Sequence, residues 1–152
     1  MIKFLSLKPQ IALVIFILFD LVCVGMGMGV PIFCILLGFP VGWYIVRYVT
    51  STGAPLQQVF RKVFIYTLVT AAVTLLAMLV LWTPFATAIF DPARDLAQTG
   101  IPMILYEPRA SFIGWVILMI LISPFLQLLT TLFGAYLTLI SWMDKRKASI
   151  EI

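Results

Sequence analysis

The chain has 152 residues, of which 63 per cent are hydrophobic and 11 per cent charged, with a net charge of +4; an average soluble domain is roughly half apolar and a quarter charged. So few charges cannot cover so much apolar surface in water, which excludes an ordinary soluble domain and makes a bilayer the natural solvent. Histidine is absent, removing the commonest general base and transition-metal ligand, and no basic stripe interleaved with polar aromatics points to nucleic acid.

The amino terminus, MIKFLSLKPQ followed by IALVIFILF, has the positive-then-apolar layout of a signal sequence. No small-residue cleavage pattern follows, so it reads as an uncleaved first span. From Ile11 to Val46 the only charge is Asp20. As one helix these 36 residues would reach about 54 Å, well beyond the roughly 30 Å hydrocarbon core. The chain must turn, and GMGMGVP is where it can: Gly25, Gly27 and Gly29 weaken the helix and Pro31 suits the first turn of a new one. The same glycines lack the spacing and the strand context of a dinucleotide-binding loop.

Span one is therefore predicted at about 9–28 and span two at about 31–49, joined by a tight outer hairpin. TSTGAPLQQ breaks the apolar pattern, and the stretch after Pro55 reads as a helix along the membrane surface, or as a basic flank carrying Arg61 and Lys62, before span three at about 62–84. An outer loop follows at about 85–110, in which DPARDLAQTG reads as a short helix. Span four, at about 111–142, exceeds the bilayer and should tilt, kink near Pro124 or project from it. Residues 143–152 form a tail, and the whole is one all-α integral membrane domain.

Charge supplies an orientation, because positive residues favour the cytoplasmic side. Four spans put Lys3, Lys8, Arg47, Arg61, Lys62, Lys145, Arg146 and Lys147 on one side and only Arg94 and Arg109 on the other. The expectation is a multi-pass protein of a prokaryotic-type cytoplasmic membrane with both termini cytoplasmic. Trp43, Tyr48 and Trp142 would form an inner interfacial belt, and Trp82, Tyr106 and Trp115 an outer one.

Small and polar residues within the spans carry most information, since lipid tails attract leucine as well as protein does. Cys34, Gly38 and Gly42 recur every four residues in span two; Thr67, Thr70, Thr74 and Ala77 mark one face of span three. Span four has Ser123, Gln127, Thr130 or Thr131, Gly134, Thr138 and Ser141 at similar spacings. Such faces let helices approach closely, so Cys34, Gly38, Gly42, Thr70, Thr130, Gly134 and Thr138 are the expected packing residues. Cys23 and Cys34, both in apolar sequence, read as small hydrophobes.

Asp20 resists that account. It stands twelve residues past Lys8, about 18 Å along a helix and so near mid-bilayer, where a charge costs at least about 2.5 to 3.5 kcal/mol. It should face protein, and Thr74, Ser123 and Gln127 reach a similar depth. A neutral Asp20 would donate to Gln127 and accept from a hydroxyl.

The function expected from these features is that of a small accessory or scaffold subunit of a larger membrane complex, its polar faces joining helices. The alternative is a homo-oligomeric transporter or channel that couples to a proton or cation through Asp20. Enzyme activity is not expected, since the outer acids Asp91, Asp95 and Glu107 are offset by Arg94 and Arg109. The expected partners are the lipid bilayer and other membrane subunits or further copies of the chain, with no metal, cofactor or nucleic acid.

Overall fold

A computed structural model describes residues 9–26, 31–53, 55–91, 96 and 105–148. Helix α1 spans Pro9–Met26, α2 Ile32–Ser51, α3 Leu56–Ala86, α4 Pro108–Ile117 and α5 Ser123–Ala148. A 3-10 turn, Thr87–Phe90, follows α3, and a π-helical segment, Leu118–Ile122, joins α4 to α5 in one rod. Among the described residues three helical stretches are long and apolar enough to cross a membrane: Ile32–Ser51, Leu56–Ala86 and Pro108–Arg146. The apolar part of α1, Gln10–Val24, is shorter.

Local chemistry sets the boundaries. Pro31 precedes α2 and its carbonyl accepts from Ile35 N–H at 3.1 Å. At the far end of α2, Thr50, Ser51 and Thr52 donate their hydroxyls to the carbonyls of Val46, Tyr48 and Val49 at 2.7 to 2.8 Å, satisfying the hydroxyls on the helix's own backbone. Gly53 then takes φ +67°, a left-handed geometry that only glycine adopts freely. Extended Pro55 opens α3. Glu107 caps α4 by accepting from the N–H groups of Arg109 and Ala110, and Pro108 occupies the first turn, where its missing N–H costs nothing.

One expectation changes here. No separate surface helix precedes span three: α3 is continuous from Leu56, because Val59 and Val63 are buried in the same core as Ile45, Val49 and Leu139. Pro124, which has no N–H to return to the Ile120 carbonyl, is preceded by a π-helical segment, a feature that accompanies proline in bent helices. Gly25 ends within α1; Gly27 and Gly29, like most of DPARDLAQTG, lie outside the described residues.

The helices alternate in direction. Gly38 and Gly42 of α2 meet Gln127 to Thr131 and Thr131 to Ala135 of α5 in that order, so α2 and α5 run parallel. Residues Leu13 and Phe16 of α1 share a cleft with Ile65 and Val69 of α3, while Asp20 reaches Thr74, so α1 and α3 are parallel too. Gln10 shares that cleft with Tyr48 near the other end of α2, which makes α1 and α2 antiparallel. The start of α1 and the end of α5 therefore lie at the same end of the bundle.

Two apolar layers fill the interior. One joins Ile45, Val46 and Val49 of α2 to Val59 and Val63 of α3 and to Ala135 and Leu139 of α5. The other gathers Cys34, Met78 and Met119, with Cys23, Val24 and Trp82 against them. The outer surface is apolar as well: Phe19, Leu76, Val80 and Phe125 are all more than half exposed, as suits helices that meet lipid.

Candidate functional site

Between the two apolar layers lies a polar one. Asp20, Thr74, Ser123 and Gln127 are each at most 2 % exposed, which removes them from solvent and from any lipid. Helical spacing explains the convergence: Thr67, Thr70 and Thr74 line one buried face of α3, and Ser123, Gln127 and Thr131 recur every four residues on a buried face of α5.

The Thr74 hydroxyl donates to Asp20 Oδ2 at 2.8 Å, and Gln127 Nε2 donates to Asp20 Oδ1 at 3.2 Å. One carboxyl thus ties α1 to α3 and α5. This reverses the expected polarity, in which Asp20 donates to Gln127: the glutamine presents its amide N–H groups to the carboxyl, leaving Gln127 Oε1 buried with no hydrogen-bond partner among the described residues. Ser123 Oγ is likewise buried and unpartnered, so Ser123 shares the layer without bonding to Asp20. The described cations stand away from this layer, with Arg47 and Lys145 lining a cleft at one end of the bundle and Arg109 in the first turn of α4. Among the described residues no three Cys, Asp or Glu side chains gather in a way that could hold a metal.

From the level of this layer downward α2 and α5 are in backbone contact. A Cβ built on Gly38 would lie 2.7 Å from the Gln127 carbonyl oxygen, one on Gly42 would overlap the Thr131 carbonyl oxygen, and one on Gly134 would lie 2.6 Å from the Phe39 carbonyl oxygen. Thr130 reinforces the approach by donating across to the Ile35 carbonyl at 2.6 Å. Cys34 is fully buried in the apolar layer above. Thr70 and Thr138 are turned inward upon their own helices, donating to the carbonyls of Thr67 and Gly134 and lending small volume rather than bonds between helices.

Sequence reasoning missed two arrangements. Thr131, not singled out over Thr130, is buried and donates to the Gln127 carbonyl at 2.7 Å, bracing the helix turn that carries the site. Trp115, expected in an interfacial belt, is buried with Nε1 unpartnered among the described residues; its position near a helix start resembled an interfacial one, and only packing moves it inside. Glu107, an expected outer acid, spends its carboxylate on the α4 cap. No family model matches the chain, and no curated protein or solved structure is found similar to it.

Proposed function

We infer that this chain is a small accessory or scaffold subunit of a larger membrane protein complex. The observation that carries the reading is the three-helix clasp at Asp20: the one buried acid among the described residues is engaged by Thr74 and Gln127 of its own chain, and it lines neither the α2–α5 cleft at Arg47 nor the α1–α3 cleft at Phe16. A polar group spent on joining helices makes a rigid body whose apolar exterior is left for lipid and for neighbouring subunits. No reaction and no cofactor belong to this role.

The test is extraction from native membranes in mild detergent, with and without a deletion of this chain. A larger protein co-purifying at fixed stoichiometry, and falling in abundance when the chain is deleted, is the expected result. Recovery of the chain alone, with no other membrane protein affected by its loss, would overturn the reading.

The proposal includes four spans in a prokaryotic-type cytoplasmic membrane, with α1 as the first and both termini cytoplasmic. It is supported by the alternating helix directions and by the eight-to-two excess of positive residues at one end. Single cysteines at the exposed positions Ser51 and Thr87 report it: an impermeant thiol reagent applied to spheroplasts should label Thr87→Cys, and Ser51→Cys only after permeabilisation. The reverse pattern would invert the orientation, and labelling of both from outside would remove a span.

A second reading, a proton- or cation-coupled transporter, is favoured by the unpartnered Gln127 Oε1. The amide that now donates to Asp20 needs only a half-turn to accept from it, so protonation of Asp20 and rotation of Gln127 would be matched events. In liposomes with an imposed pH gradient this reading requires proton flux that Asp20→Asn abolishes. Flux that is absent, or indifferent to the substitution, excludes it.

A further inference from the structure

At the end of the bundle that holds the start of α1 and the end of α5, a cleft of about 240 Å³ opens between α2 and α5. Trp43, Arg47 and Thr50 line it from α2, and Ser141, Trp142 and Lys145 from α5. The parallel course of the two helices produces it: both carry a tryptophan near their ends and a cation about one turn or less beyond. Its volume falls below the roughly 300 to 1,000 Å³ of sites that enclose drug-sized ligands, which suits a single small group.

The donors are available. The Arg47 guanidinium stands over the Trp43 ring, 6.0 Å from its centroid, where the aromatic face attracts it. Arg146 is held the same way over Trp142 at 5.4 Å, which leaves Lys145 as the α5 cation in the cleft. Neither Arg47 nor Lys145 has a carboxylate partner among the described residues, and Asp144, which adjoins Lys145 in sequence, does not line the cleft. Thr50 and Thr138 turn their hydroxyl protons onto helix carbonyls, so the cleft offers cationic donors and the Ser141 hydroxyl, an arrangement that selects an anion with several acceptor oxygens.

Depth selects its source. Arg47 stands nine residues beyond Gly38, about 14 Å along α2 from the level of the polar layer, close to half the roughly 30 Å hydrocarbon thickness. Trp43 and Leu137 on the flank are both more than 40 % exposed, so the opening faces acyl chains while the cations stand at headgroup level.

We propose that this cleft binds the phosphate-bearing headgroup of an anionic phospholipid, with Arg47 and Lys145 on the phosphate and the two tryptophans against the glycerol and upper acyl chains. The site is separate from Asp20 and does not depend on the assignment as an accessory subunit.

Native mass spectrometry of the purified chain, exchanged into mixed micelles of dioleoyl phosphatidylglycerol and dioleoyl phosphatidylcholine, tests it. The wild type should retain one phosphatidylglycerol in preference to phosphatidylcholine, and Arg47→Gln/Lys145→Gln should lower that preference about twenty-five-fold, the product of about fivefold per cation. Arg61→Gln/Lys62→Gln removes equal charge from exposed positions of α3 outside the cleft and should leave the preference intact. Equal retention of the two lipids, or equal losses in the two double variants, would overturn the site. Displacement of the lipid by inorganic phosphate at millimolar concentration would also overturn it, because recognition would then rest on the phosphate ion alone. Unchanged helicity of both variants by circular dichroism keeps a folding defect from passing as lost binding.

Discussion

Gly42→Ala is expected to be the most damaging single-methyl change in this protein. Its Cβ would overlap the Thr131 carbonyl oxygen and lie 2.7 Å from Ala135 N and 3.0 Å from the Thr131 carbonyl carbon. All three atoms are backbone, so no rotamer change relieves the contact and α2 must move off α5. Overpacking of this kind costs about 1 to 3 kcal/mol, and in lipid it removes the packing that holds helices together when no hydrophobic drive remains between them. Gly38→Ala should fall in the same range: Thr130 Oγ1 could rotate away, but the Gln127 carbonyl oxygen at 2.7 Å and Thr131 N at 2.8 Å could not. Gly114 is the matched control, helical with no atom within 4 Å of an added Cβ, and Gly114→Ala should stabilise by about 0.5 to 1 kcal/mol through helix propensity. Unfolding by sodium dodecyl sulfate titrated into dodecyl maltoside micelles, followed by helicity, reads all three. Equal stability of Gly42→Ala and Gly114→Ala would show that the two helices do not touch at this point.

Asp20→Ala should destabilise the bundle by about 1 to 3 kcal/mol, the cost of leaving a buried polar partner unsatisfied. The loss is unevenly shared. Thr74 already lies 3.3 Å from the Thr70 carbonyl and can fall back on its own helix, whereas among the described residues the Gln127 amide N–H groups donate to Asp20 alone. Asp20→Asn keeps the shape and one acceptor oxygen, and a turned Gln127 amide can take the new N–H through the oxygen that now lacks a partner. It should lie within about 1 kcal/mol of wild type, since single polar contacts between membrane helices average about 0.6 kcal/mol. A double-mutant cycle of Asp20→Ala with Gln127→Leu should show a coupling of that order, about 0.6 and at most about 1.7 kcal/mol; additive losses would mean that the two side chains do not bond. The pair Asn and Ala also separates the two functional readings. A clasp is weakened by Ala and tolerates Asn, while proton coupling is abolished by both.

Several features were legible in the sequence because they follow from one-dimensional quantities. Apolar run length against bilayer thickness located α2, α3 and the long α4–α5 rod, and Pro31 and Pro55 marked two helix starts, whereas the start at Pro108 fell inside the expected outer loop. The rarity of a charge in hydrocarbon singled out Asp20, and helical period placed Gly38 and Gly42 on one face. Boundaries were less legible: α3 begins six residues before the predicted span, since Arg61 and Lys62 read as interface although Val59 and Val63 beside them are core.

What sequence by itself determined, then, is the solvent, the helices and the residues too costly to face lipid, each of which depends on composition and spacing along the chain. Tertiary structure alone decided the partners. It chose Gln127 as donor rather than acceptor, left Ser123 beside the clasp, and buried Trp115. It also set Arg47 opposite Lys145, residues 98 positions apart, across one cleft. Those outcomes depend on the rotation and register of helices about their axes, which backbone contacts at Gly38, Gly42 and Gly134 fix to within a fraction of a turn, and no periodicity in a single helix carries that information.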